Sequence, residues 1–183
     1  MFLLAITPGR GFDPAAWRAV LASGVDGFLL RERAMEARAL LDAARWCQDT
    51  APGVELWVGG RLDVALAAGC GLHAPEAYPE LPGDLLPISR PLHGEGQFAA
   101  RARAKQLLVS PIFETPGKGA PWGIPRLHAF LDGAPRGPRI LALGGVTAEN
   151  AATLKHPRLD GLALIRGLWD AAPPSEVVAR LKA

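Results

Sequence analysis

Five stretches of this chain carry residues able to do chemistry, and each follows an apolar run. His93 stands between Leu92 and Gly94, where an imidazole can exchange protons near neutral pH. The same place suits a surface or capping histidine at the start of a helix. Arg31 and Arg33 flank Glu32 just after Gly27 to Leu30. One should face a binding site and the other should be paired structurally. A guanidinium fork can clamp a carboxylate, and a rim salt bridge is the competing use. Thr115 and Lys118 lie in Pro111-Ile-Phe-Glu-Thr-Pro-Gly-Lys-Gly119, where a hydroxyl and an ammonium suit an anion. A solvated loop is the plainer alternative. Gly144-Gly145 follows Ile140 to Leu143, and glycine lets the backbone turn sharply and approach a ligand. Thr147 can cap a helix after that turn, with Glu149 in its first turn. The run Gly161-Leu-Ala-Leu-Ile165-Arg166-Gly167 repeats the idea, and amides at such turns attract anions. Arg166 can offer its charge or only its amide. His73 reads as a satisfied rim histidine, and His128 and His156 as surface residues.

These stretches need elements to hold them. Short apolar runs at Phe2 to Ile6, Gly27 to Leu30, Leu56 to Val58, Gly71 to His73, Leu85 to Ile88, Gln106 to Val109, Ile140 to Leu143 and the run opening at Gly161 read as strands. Helical spacing separates most of them. It is clearest from Asp13-Pro14 to Leu21, Met35 to Asp49, Asp63 to Ala68, Gly94 to Ala104 and Ile124 to Leu131, with Ser175 to Leu181 closing the chain. Pro75 to Gly83 and Ser110 to Pro121 read as loops. Strands and helices alternating about eight times imply parallel strands with crossover helices. Eight short units favour a compact α/β fold, a (β/α)8 TIM barrel, in one domain over residues 1–183. On such a barrel Arg31, Arg33, Gly59, His93, Thr115, Lys118, Gly144, Gly145 and Arg166 all fall on the loops after strands, where one site can gather them.

Composition narrows the function classes. A net charge of +2 with scattered positive residues gives no basic face, so no nucleic acid is expected. The opening apolar stretch stops at Pro8-Gly9, too soon for a signal peptide or a membrane span. A cytoplasmic protein without membrane contact is expected. Cys47 and Cys70 are the only cysteines, too few for a thiolate metal site. There is no phosphate-cradling GxxxxGK[ST] loop, no G-x-S-x-G elbow, no metal-ligand cluster and no pair of carboxylates at the strand ends. Assembly of several copies is left open.

The chain resembles the thiamin phosphate synthase/TenI superfamily over nearly its whole length. The resemblance rests on Phe28-Leu-Leu-Arg31-Glu32-Arg33, Arg61-Leu-Asp63-Val-Ala-Leu66, Gly71-Leu-His73, Pro111-Ile-Phe-Glu-Thr115-Pro-Gly-Lys118, Leu143-Gly144-Gly145-Val146 and Gly161-Leu-Ala-Leu-Ile165. It implies a compact (β/α)8 barrel and one of two activities. Synthases of the family join a thiazole phosphate to a pyrimidine pyrophosphate with magnesium. Where their pattern has glutamine at the second strand this chain has Leu29, and Gly59-Gly60 replaces their Asn-Asp. Pro91 stands where they carry a serine. Glycine offers magnesium no oxygen ligand, which makes synthase activity an alternative. TenI-type members aromatise a thiazole carboxylate phosphate tautomer without a metal or other cofactor, and their catalytic histidine falls at His93. The resemblance then implies phosphate on Thr115, Gly144, Gly145, Ile165, Arg166 and Gly167. Arg31 or Arg33 would take the substrate carboxylate, with Gly59 and Lys118 as further substrate contacts. A non-catalytic thiazole phosphate sensor is the alternative outside enzymology.

Overall fold

The computed structural model describes residues 1–81, 85–170 and 173–183. Eight parallel strands close on themselves in chain order: β1 (Phe2–Ile6), β2 (Gly27–Leu30), β3 (Glu55–Gly59), β4 (Gly71–His73), β5 (Ile88–Leu92), β6 (Gln106–Val109), β7 (Arg139–Leu143) and β8 (Gly161–Leu164). Closure comes from β8 pairing back on β1, with Phe2 opposite Gly161 and Ala5 opposite Leu164. The expected α/β (β/α)8 barrel is the fold.

The crossovers are α1 (Pro14–Leu21), α2 (Ala37–Thr50), α3 (Leu62–Ala68), α4 (Phe98–Arg101) and α5 (Gly123–Gly133), followed after β8 by α6 (Arg166–Trp169) and α7 (Pro174–Lys182). Local chemistry sets their ends. The Asp13 carboxylate accepts from the amides of Ala15 and Ala16, at 3.0 and 3.1 Å, and starts α1 with proline just inside. Gly69, at φ 64°, stops α3. In α2 the buried Leu40, Ala43, Ala44 and Cys47 follow the three-and-four spacing of one helical face.

Strand alternation divides the apolar residues into two cores. Leu3, Ala5, Phe28, Leu30, Val58, Leu72, Leu107, Val109, Ile140 and Ala142 point outward and meet the helices. Leu4, Ile6, Leu29, Trp57, Leu108, Leu141 and Ala163 fill the barrel itself. Trp57 is the largest group inside. Its ring lies against Gly71, where a Cβ would sit 2.3 Å from Trp57 Cε3. At the N-terminal end of the strands Arg139 forks onto Glu55, at 3.0 and 3.1 Å, with its guanidinium 3.8 Å from the centre of the Phe2 ring.

Three expectations need correction. The fifth strand is Ile88–Leu92, not Leu85 to Ile88. Polar Ser89 and Arg90 belong to it because each finds partners: Ser89 inside the barrel, Arg90 on the carbonyls of Tyr78 and Pro79. The helix expected over Gly94 to Ala104 is a 3-10 turn, Glu95–Gln97, followed by the four residues of α4. No α-helix follows Gly144-Gly145. Thr147 and Asn150 close a tight turn, with Thr147 N donating to Asn150 Oδ1 at 2.9 Å, and a 3-10 turn follows at Ala151–Leu154. Of the loop expected over Pro75 to Gly83, Pro82 and Gly83 lie outside the described residues.

The packing of Trp57 on Gly71 gives a direct test. Gly71→Ala forces a fully buried ring to move inside a closed barrel and should lower unfolding free energy by about 1–3 kcal/mol. Gly53→Ala, where a Cβ meets nothing within 4 Å, should leave it unchanged. Urea unfolding of both variants distinguishes these outcomes.

Candidate active site

The C-terminal ends of the strands surround a cavity of about 660 Å³, a size that suits a small organic molecule. Its floor is Ile6, Leu29, Leu108, Leu143 and Ile165, and its polar wall carries Arg31, Arg33, His73, Glu76, His93, Ser110, Thr115 and Lys118. Each strand contributes because its last inward-facing residue has no further layer above it.

His93 follows β5 directly. Its Nδ1 lies 2.8 Å from the Ser110 carbonyl oxygen. A carbonyl can only accept, so Nδ1 carries a proton and the neutral ring keeps its lone pair on Nε2. That Nε2 stands 3.2 Å from Glu76 Oε2. Glu76 in turn accepts from Arg101 at 3.1 Å and Gln97 at 2.5 Å. Partial burial works against ionising Glu76. The bond and charge of Arg101, with His93 and Gln97, outweigh it and hold the carboxyl below the usual glutamate value. Once that nitrogen holds a proton it can donate it to the Glu76 carboxylate beside it.

Both arginines after β2 line the cavity, contrary to the expectation that one would be paired. Among the described residues neither guanidinium has a carboxylate partner. Glu32, buried between them, accepts instead from the amides of Gly9 and Gly11 at 3.1 and 2.8 Å and ties the β1–α1 loop to β2. Burial and the neighbouring Arg33 charge push the Arg31 guanidinium below its usual value. An anion placed between these two cations relieves both effects.

Gly59, Thr115, Lys118, Gly144 and Ile165 line the same cavity. Gly145, Arg166 and Gly167 do not; they stand behind Gly144 and Ile165 in the chain. The two last loops interlock. A Cβ at Gly167 would sit 2.4 Å from the Val146 carbonyl oxygen, and one at Gly145 2.6 Å from Phe113 Cβ. Gly144 and Gly145 have φ of 101° and 69°, which a side chain would strain. Among the described residues the amides of Gly145 and Gly167 donate to no acceptor. The Thr115 hydroxyl donates to Phe113 O at 3.1 Å, so in this arrangement it meets a ligand with its lone pairs.

His73, read from sequence as a satisfied rim histidine, sits at the end of β4 and lines the cavity. Its Nδ1 is 2.9 Å from Ser89 Oγ. Burial, then the charges of Arg31, Arg90 and His93, push it down to about 4, so it is neutral at physiological pH. Sequence reasoning also left out Glu76. The strand-end rule that selected Arg31 and His93 would have selected His73; Glu76 lies on a loop without periodicity.

The synthases of the resembling family use magnesium, and the donors here fit it poorly. Gly59 and Gly60 at the end of β3 supply no side-chain oxygen, Glu32 is taken by two amides, and Glu76 is already ion-paired with Arg101. Among the described residues no three of His, Cys, Asp and Glu gather as a metal site.

The His73 environment predicts a pH effect on stability. In the unfolded chain this group titrates near about 6.5. Between about 6.5 and about 4 the unfolded chain therefore takes up a proton that the folded chain refuses. Stability should fall as pH falls through that window, and His73→Gln should lose less than wild type. Urea midpoints at pH 7 and pH 5 for both proteins give the comparison.

A family model described as Thiamine monophosphate synthase matches residues 3–168. The chain is 32% identical over 179 residues to a thiamine-phosphate synthase of Moorella thermoacetica, covering 90% of this chain and 84% of that protein. It is 32% identical over 178 residues to a thiamine-phosphate synthase of Albidiferax ferrireducens, covering 90% and 80%. In fold it is similar to a thiamine phosphate pyrophosphorylase of Pyrococcus furiosus, with a TM-score of 0.86 and 19% identity over 99% of this chain and 93% of that one. No helix is long and apolar enough to cross a membrane among the described residues.

Proposed function

The chain belongs to the thiamine monophosphate synthase family, and from that premise we propose that it is the metal-independent thiazole tautomerase type of thiamin-biosynthetic enzyme. The observation that carries this reading is the state of His93. Its Nδ1–H is held by a backbone carbonyl, its basic Nε2 faces the cavity beside an ionised Glu76, and glycine stands where the synthases carry Asn-Asp.

The proposed substrate carries a ring C2 with one hydrogen and a carboxylate, an exocyclic double bond, and a phosphate. His93 Nε2 takes the C2 proton. The C–H electron pair moves through the ring to the exocyclic carbon, which takes a proton back from the imidazolium. One C–H bond breaks and one forms, the ring becomes aromatic, and no proton is gained or lost. Arg31 and Arg33 hold the carboxylate. The turns at Gly144-Gly145 and Ile165-Arg166-Gly167, with Thr115, hold the phosphate, and Gly59 and Lys118 border the ring. Fixing both anionic ends keeps the two carbons within reach of one imidazole.

A second reading, magnesium-dependent thiamin phosphate synthesis, is favoured by the names of the relatives. The donor set described above argues against it.

The unaromatised thiazole carboxylate phosphate should be converted by wild type, and His93→Ala should slow conversion by about 10²- to 10⁴-fold. Equal rates would remove His93 from the mechanism. No wild-type rate, with thiamin phosphate formed from thiazole phosphate, pyrimidine pyrophosphate and magnesium, would replace the reading with the second one. Arg31→Met should weaken binding of the aromatic carboxylate product by about tenfold or more in calorimetry, while Arg38→Met, on the exposed face of α2, should not.

A further inference from the structure

Inside the barrel a line of polar side chains runs upward from the closed end. The Arg139 guanidinium, anchored on Glu55, lies 3.4 Å from Gln106 Oε1. A guanidinium only donates, so the oxygen of the Gln106 amide must face it, and the NH2 faces Ser89 Oγ at 3.3 Å. Ser89 and Gln106 are fully buried, so water does not compete for these bonds. One lone pair of Ser89 Oγ accepts from Gln106, and its hydroxyl proton is free to be given to His73 Nδ1, 2.9 Å away. With Nδ1 accepting that proton, His73 carries its own on Nε2. No described residue accepts from that nitrogen, and it is not among the buried polar atoms left without a partner, which leaves it open to the cavity the ring lines.

From this chain we infer that His73 is a ligand-contacting residue: a neutral imidazole, fixed in its Nε2–H form by Ser89, Gln106 and Arg139, that donates a hydrogen bond to the ligand carboxylate. The identity of the ligand rests on the proposed function above. The two cavity histidines are thereby set in opposite roles. His93 spends its Nδ1–H on Ser110 and presents a base; His73 accepts at Nδ1 and presents a donor. As the C2 proton leaves for His93, charge grows on the carboxylate oxygens, and the His73 N–H and the Arg31 guanidinium hold it there. A cationic His73 would stand among the charges of Arg31 and Arg90, with His93 nearby, so the neutral form is the one the site favours.

Two measurements test this. With 15N-labelled histidine, two-bond correlation spectra of the full chain separate the tautomers of its four histidines, assigned through single His→Gln variants. His73 should show a protonated Nε2 and a bare Nδ1 at pH 7, and Ser89→Ala should mix in the other tautomer. A His73 protonated on Nδ1 in wild type overturns the inference whatever the enzyme does. By calorimetry, His73→Phe should bind the aromatic carboxylate phosphate about tenfold more weakly and the thiazole phosphate lacking the carboxylate within about twofold of wild type. His73→Gln, which keeps a donor, should recover part of the loss. Unchanged carboxylate affinity in His73→Phe, with wild type turning over, sinks the inference and spares the function. A wild type that neither binds nor converts either thiazole sinks the function and, with it, the ligand named here.

Discussion

Closing eight short parallel strands forces every second side chain into the barrel, and everything at the mouth follows from how that space is filled. At the bottom, Arg139 on Glu55 and Phe2 seals the interior with charge satisfied on all sides. In the middle, Trp57 against Gly71 supplies bulk that a smaller pair would not. At the top, the inward positions are Arg31, Gly59, His73, Pro91, Ser110, Leu143 and Ile165, too mixed in size and polarity to pack as a layer. The space they leave is the cavity. An eight-strand barrel is just wide enough for its own side chains, so a cavity exists only where the sequence withholds them.

Charge follows the same geometry. Buried Glu32 would neutralise Arg31 and Arg33 if it faced them as an ion pair, but strand alternation turns it outward onto the Gly9 and Gly11 amides. Among the described residues two guanidiniums are thus left without a carboxylate partner at the cavity. On the opposite side, Arg90 also turns away from the barrel and pins the carbonyls of Tyr78 and Pro79 with the Glu80 carboxylate. The loop so held carries Glu76 to His93. An outward-facing arginine on β5 therefore positions an acidic partner for the inward-facing imidazole three residues later.

The strands that are mostly apolar were legible in sequence, and β1, β2, β4 and β6 have the expected limits. β5 was not, because Ser89 and Arg90 look like a loop until their partners are known; hydropathy cannot report a polar residue satisfied across the barrel. Thr147 misled for a related reason. A threonine followed by acid and amide suits a helix cap, yet the same groups also close a turn on themselves. His93 and the glycine turns were readable as strand-end residues. The tautomer of His73 was not, since it depends on Gln106 and Arg139, one and two strands beyond Ser89 and far apart in the chain.

The β7–β8 connection, built on a 3-10 turn, bears directly on the site. A full helix after Gly145 would hold the loop by its own hydrogen bonds and would stand between it and the next loop. With only a 3-10 turn there, the backbone of Val146 comes against Gly167 so closely that no Cβ fits, and Phe113 presses on Gly145 from the other side. Three consecutive loops, after β6, β7 and β8, are then braced by backbone packing. Among the described residues the amides of Gly145 and Gly167 donate to no acceptor. An anion meeting them would find donors whose positions are fixed beforehand, and the entropy of ordering those loops would already be spent in folding. The absence of a crossover helix there, which looks like a defect of a small barrel, is what lets its last loops brace one another at the mouth that His93 also lines.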